Sequence, residues 1–101
     1  MKILITSAAS AQAYQLKSKL NNPDTILGDY VELPGTMLKS GSMVVLPAPN
    51  DPSYAHKMLT LSLDNQIAKI YALQHTEFSL LKEAEILFNE YGIIILSADE
   101  I

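Results

Sequence analysis

Apolar residues along the chain alternate between two kinds of pattern. Lys2-Ile3-Leu4-Ile5-Thr6 is a short, nearly unbroken apolar run rich in β-branched residues, the mark of a strand covered on both faces. Ala9, Ala13, Leu16 and Leu20 then recur at helical spacing, Lys17 and Lys19 fall off that stripe, and Asn21-Asn22-Pro23 closes the pattern. Thr25 to Asp29 is a second strand, weakened by Gly28, and Met43-Val44-Val45-Leu46, closed by Pro47 and Pro49, is a third. Between them Leu33-Pro34-Gly35 predicts a turn, and Thr36-Met37-Leu38 predicts about one helical turn at most. Asn50-Asp51-Pro52 predicts a helix start, an Asx cap followed by Pro at the first helical position, with Tyr54, Met58 and Leu61 as the buried stripe. Ile67 to Leu73 is the fourth strand. Thr76 or His75 opens a last long helix packed through Phe78, Leu81, Ala84, Phe88 and Tyr91. Gly92 stands where a left-handed residue ends a helix, so its φ is predicted positive, and Ile93 to Leu96 is the fifth strand.

Strands that alternate with helices, each strand apolar throughout, specify a parallel sheet with helices on both faces, and right-handed crossovers leave few topologies. The fold class is a three-layer α/β domain, an open sheet of five strands in the order 3-2-1-4-5. The 101 residues suffice for one core and not for two, so residues 1–101 read as a single domain. No apolar run approaches the roughly 20 residues of a membrane helix. Lys2 is followed by only Ile3, Leu4 and Ile5 before Thr6, too little for a secretion signal, and the protein reads as cytoplasmic. At the other end Ser97-Ala98-Asp99-Glu100-Ile101 fits a capping box. It reads either as an acidic tail or as the first turn of a helix in a related, longer chain.

Composition narrows the chemistry. Without Cys, disulfides, thiol nucleophiles and Cys-ligated zinc are excluded. All seven basic residues are Lys against eleven Asp and Glu, giving a formal charge of −4 and a pI near 4.9. That balance disfavours nucleic acid and anionic membranes as partners, and the lack of Arg removes the planar fork that grips phosphates and carboxylates.

In open α/β sheets ligands bind beyond the carboxyl ends of the strands, which selects four loops. Thr6 to Gln12 holds the place of a glycine-rich phosphate loop without a single Gly. Ser7 and Ser10 are candidate anion ligands there, but a plain strand-to-helix turn capped by Ser10 or Ser7 is the reading favoured, since the Cβ atoms of Ala8, Ala9 and Ala11 hold off a pyrophosphate. A Walker A loop is absent, since no G-K-[ST] occurs. Asp29 ends the second strand where a ribose would bind, or is a turn carboxylate in water. Asn50 and Asp51 of the third loop are accounted for by capping. In Gln74-His75-Thr76-Glu77, His75 is a candidate proton shuttle oriented by Glu77. Thr76 as N-cap, with Glu77 at the favourable end of the helix dipole, explains the same residues. His56 and His75 match no metal-ligand spacing, and no metal or cofactor is assigned.

Taken in order, Met1-Lys2-Ile3-Leu4-Ile5-Thr6-Ser7, then Val44-Val45-Leu46-Pro47-Ala48-Pro49-Asn50-Asp51-Pro52 entering a helix, then Gln74-His75-Thr76-Glu77 and Glu90-Tyr91-Gly92-Ile93-Ile94-Ile95-Leu96-Ser97, resemble the pre-ATP-grasp domain. This is the N-terminal Rossmann-like domain that precedes the ATP-grasp module in carbamoyl-phosphate-synthase-like ligases. The resemblance implies that nucleotide and magnesium are held by the later module, so no catalytic residue carries over. It implies a free-standing or truncated N-terminal domain acting as a non-catalytic docking module, its partner an ATP-grasp chain or a second copy of itself. The broad apolar surface of the last helix, with Leu80 and Leu87 outside its core stripe, is the docking candidate. The alternative is a small-molecule binding domain for a nucleotide or amino-acid type ligand, using Ser7, Ser10, Asp29, His75 and Glu77. An independent enzyme would need a nucleophile near His75 and Glu77 that the sequence does not identify.

Overall fold

The computed structural model describes residues 2–8, 10–30, 35–39, 41 and 43–97. Along them the chain forms β1 (Lys2–Ile5), α1 (Ala11–Leu20), β2 (Thr25–Asp29), α2 (Gly35–Lys39), β3 (Met43–Val45), α3 (Tyr54–Asp64), β4 (Ile67–Ala72), α4 (His75–Glu83), α5 (Glu85–Glu90) and β5 (Ile94–Ser97). Every neighbouring pair of strands is parallel, and the lateral order is β3-β2-β1-β4-β5, as the alternation of patterns predicts. The turn at Leu33-Pro34 and the capping residues Asp99 and Glu100 lie outside the described residues.

Register gives the sheet two faces. On one, Ile26, Leu4, Ile70 and Ile95 stand side by side across β2, β1, β4 and β5. Tyr54, Met58 and Leu59 of α3, Leu81 of α4 and Phe88 of α5 pack on this row. On the other face Leu27, Ile5, Tyr71 and Leu96 form the matching row, packed by Ala13 and Leu16 of α1, with Leu38 of α2 at its rim. A second row on that face runs Thr25, Ile3, Lys69, Ile94. The division follows from chain direction. Steps from β1 to β2 to β3 go one way and steps to β4 and β5 the other, so right-handed crossovers send α1 and α2 to one side and α3 to α5 to the opposite side.

Edge strands depart from the sequence reading, which covers every strand on both faces: Val45 of β3 is 57% and Ile94 of β5 49% exposed. Gly28 does not weaken β2, all of whose residues are buried. A Cβ on Gly28 would meet the Leu46 side chain at 2.9 Å, so the missing side chain makes room for Leu46, itself part of the core.

The helices follow local chemistry, with four corrections. Tyr54, not Pro52, opens α3, preceded by Ser53 with no side-chain cap. Asp51 instead closes an Asx turn, its Oδ1 accepting the Ser53 N–H at 2.8 Å and its Oδ2 pairing with the Lys57 ammonium. The Lys57 bond, aided by the Ser53 N–H, holds the Asp51 carboxyl below the usual range. On α3 the buried residues are Tyr54, Met58, Leu59 and Ser62, while Leu61 is only half-buried. The last long helix is two: α4 stops at Glu83, and Ala84 (φ −104°, ψ 14°) separates it from α5. Glu83, Ala84 and Glu85 are good helix formers, so no local propensity accounts for the break. Tyr91, past the last turn of α5, is 55% exposed rather than packed.

The C-terminus of α5 is a Schellman motif. The Ile93 N–H donates to the Phe88 carbonyl and the Gly92 N–H to the Asn89 carbonyl, both at 3.0 Å, and Gly92 has φ +78°, the positive value the sequence predicts. A Cβ there would have nothing within 4 Å, so Gly92→Ala isolates the backbone term. The substitution is expected to cost about 1 kcal/mol in urea denaturation followed by tyrosine fluorescence, and an unchanged midpoint would contradict it.

Candidate functional site

The carboxyl ends of β1, β2 and β4 converge where a ligand would bind in such a sheet. The loop after β1 bends sharply: Ser7 takes φ +57°, a conformation uncommon outside Gly and Asn. The bend directs the Ala8 N–H to the Gly28 carbonyl at 3.0 Å and the Ser10 N–H to the Ser7 carbonyl at 2.9 Å. Both of these loop amides are engaged by backbone carbonyls. Ser10 is the N-cap of α1, its Oγ accepting the Ala13 N–H at 3.3 Å while donating to the Ser7 carbonyl at 2.8 Å. Ser10→Ala is therefore expected to lower stability by about 1 kcal/mol, read as a reduced urea midpoint, with no change as the contrary result.

Thr6, fully buried, ties the first loop to the fourth. Its N–H donates to the Tyr71 carbonyl at 3.0 Å, and its Oγ1 accepts the Leu73 N–H at 2.9 Å. That second bond leaves the hydroxyl proton to face Glu77, which is 1% exposed. Glu77 lies on the stripe of Leu81, Ala84 and Phe88, at helical spacings of four, seven and eleven, and so turns inward under the edge loops. Its Oε2 accepts from the Tyr54 hydroxyl at 3.4 Å, a long bond. Among the described residues Glu77 Oε1 and Ser7 Oγ, both buried, have no hydrogen bond of ordinary geometry. Burial raises the pKa of Glu77 above the ordinary value of 4.5; the hydroxyl of Thr6 opposes this, the charge of Asp29 adds to it, and the Tyr54 and Ser7 hydroxyls again oppose it. Burial first, and then the negative charge of Glu77, push the Tyr54 phenol up.

Two sequence readings change here. Asp29 is not a turn carboxylate in water: it is 5% exposed, and its Oδ1 accepts the Tyr30 N–H at 2.8 Å. His75 and Glu77 are not brought together. Two residues apart on a helix they face opposite ways, and His75 is exposed while Glu77 is buried. Thr76 is not the cap either, for Gln74 precedes the first helical residue His75, with no side-chain bond. His75 lines an open depression of about 390 Å³ with Gln12, Leu73, Gln74, Phe78 and Ser97. A second, of similar size, lies over Tyr30, Ala48, Pro49, Asn50, Gln74 and Thr76. Sequence reasoning missed Thr6 and Tyr54 as partners of Glu77. The signal for Glu77 is its place on the apolar stripe of its helix; the signal for Tyr54 is a phenol on a buried stripe, where it needs a polar neighbour.

Among the described residues no three side chains of His, Cys, Asp or Glu are grouped to hold a metal ion, and no helix is long and apolar enough to cross a membrane. No curated protein matches the chain. Residues 3–96, from the second residue of β1 to the penultimate residue of β5, match the family described as PylC-like, N-terminal domain. The chain belongs to that family of pre-ATP-grasp-type N-terminal domains.

Proposed function

We propose that this domain does no chemistry of its own and serves as the docking part of a ligase of the ATP-grasp, carbamoyl-phosphate-synthase-like type. The observation that carries this reading is that the loop after β1 turns its polar groups inward onto the protein itself. The Ala8 and Ser10 amides are bonded to carbonyls, and the Glu77 carboxyl lies against Thr6 and Ser7. Once ionised, a buried carboxyl there repels an incoming phosphate instead of stabilising it. No ATP-grasp module lies within these 101 residues, and in this reading the nucleotide-handling groups are those of the module on which the domain docks. Two measurements test the reading. Titrating the domain with an ATP-grasp module of a PylC-like ligase, expressed separately and checked for folding by circular dichroism, is expected to give a saturable complex. Thermal shift with nucleotides, amino acids and sugar phosphates is expected to give none. A ligand at 100 times its dissociation constant would stabilise by about 2.7 kcal/mol, and such a shift would favour the small-molecule reading instead.

A further inference from the structure

The helix layer is complete on one face of the sheet and incomplete on the other. Along the row Thr25, Ile3, Lys69, Ile94 exposure climbs from the centre outward, from 5% at Thr25 and 7% at Ile3 through a half-buried Lys69 to 49% at Ile94. The neighbouring row repeats the trend, with Tyr71 at 5% and Leu96 half-buried. The opposite side of β4 and β5 carries α3, α4 and α5, whereas on the α1 side Leu96 is half-buried at the rim of the cluster that holds Ala13 and Leu16, and Ile94 stands exposed.

We infer that this uncovered strip over β4 and β5 is a docking surface for one amphipathic helix of a partner protein, lying beside α1 and presenting a carboxylate to Lys69. A helix is the element that closes a face of a parallel sheet. Charge selects its chemistry, because Lys69 is the sole charged side chain in the two rows and sits between apolar Ile3 and Ile94. A second copy laid across the strip by two-fold symmetry would oppose Lys69 to its twin, between chains of like net charge −4. The apolar residues of α5, Ile86 and Leu87, are on the other side and are flanked by Glu83, Glu85 and Glu90, which gives a different, acidic surface.

The inference rests on the docking reading in one respect, that the helix belongs to an ATP-grasp module. Amide chemical shifts of the whole labelled domain test the two separately. With the ATP-grasp module, Ile94→Glu and Lys69→Glu are each expected to weaken binding at least tenfold, while Ile86→Glu on the other face changes it less than twofold. Thermal melts accompany each variant, and Lys69→Glu decides the matter should Ile94→Glu unfold. With a synthetic amphipathic helix bearing a leucine face and one central Glu, shifts are expected at Lys69, Ile94 and Leu96. If the module binds and only Ile86→Glu weakens it, the surface is wrong and the docking reading stands. If the module does not bind but the peptide shifts those three amides, the docking reading fails and the surface stands; silence from both overturns both. Dimers of the unmodified domain in sedimentation, separated by Ile94→Glu, would make a second copy the occupant and overturn the assignment to a partner helix.

Discussion

Replacing Phe88 by alanine is expected to remove about 3–5 kcal/mol of folding stability, a large part of the roughly 5–15 kcal/mol that domains possess. Phe88 is fully buried and shares its cluster with Leu4, Ile70, Leu81 and Ile95, so its ring joins α5 to the centre of the sheet. Its carbonyl also accepts the Ile93 N–H of the Schellman motif, and a cavity beneath that turn loosens the entry into β5. Urea denaturation gives the free energy directly, and the thermal midpoint is expected to fall by more than about 12 °C. A loss under about 1 kcal/mol would mean that α5 is not anchored through this ring.

Exchanging Glu77 for glutamine is expected to stabilise the domain at neutral pH by about 1–3 kcal/mol, the range associated with a buried polar group lacking a partner. The sign follows from proton linkage. The native carboxyl titrates above its ordinary value of 4.5, so between the two values the folded state binds more protons than the unfolded chain. Stability of the unmodified domain therefore falls as pH rises from about 4.5 towards the raised native value, then levels off. Glutamine cannot ionise, so the advantage of the variant is near zero at pH 4 and reaches its maximum once native Glu77 is ionised. Denaturation curves between pH 4 and pH 8 measure this difference, and a carbon-13 titration of the Glu77 carboxyl measures its cause. A variant less stable than the parent at pH 7 would show that the bonds from Thr6, Tyr54 and Ser7 outweigh burial.

How far the sequence carried the architecture depends on whether information was local. Strand order was legible because apolar runs alternate with helical stripes, and few right-handed topologies satisfy that alternation. The Gly92 turn was legible because its conformation is set by its immediate neighbours. The start of α3 was displaced by two residues because Asp51 has two local options, capping a helix or closing an Asx turn, and its bond to Lys57 accompanies the second. Glu77 shows the opposite limit. In the string it is an acidic residue in a first helical turn, where the helix dipole is explanation enough. Its neighbours Thr6, Tyr54 and Asp29 come from three other segments, and only the assembled sheet edge brings them to it. The pairing of His75 with Glu77 failed for a geometric reason available in advance, since side chains two residues apart on a helix do not share a face.

The parallel order of the sheet also has a consequence in time. In the finished domain β1 is central, paired with β2 on one side and with β4 on the other, where Ile5 meets Tyr71. During synthesis at ordinary rates of 5–20 residues per second, about 1–5 s separate the making of Val45, which ends β3, from the making of Tyr71. Through that interval β1, β2 and β3 have been made, and the free side of β1 presents the backbone of Ile3, Leu4 and Ile5 with no strand to receive it. The strand most enclosed in the native protein is an open edge on the ribosome, and a nascent chain stalled within α3 would leave it so.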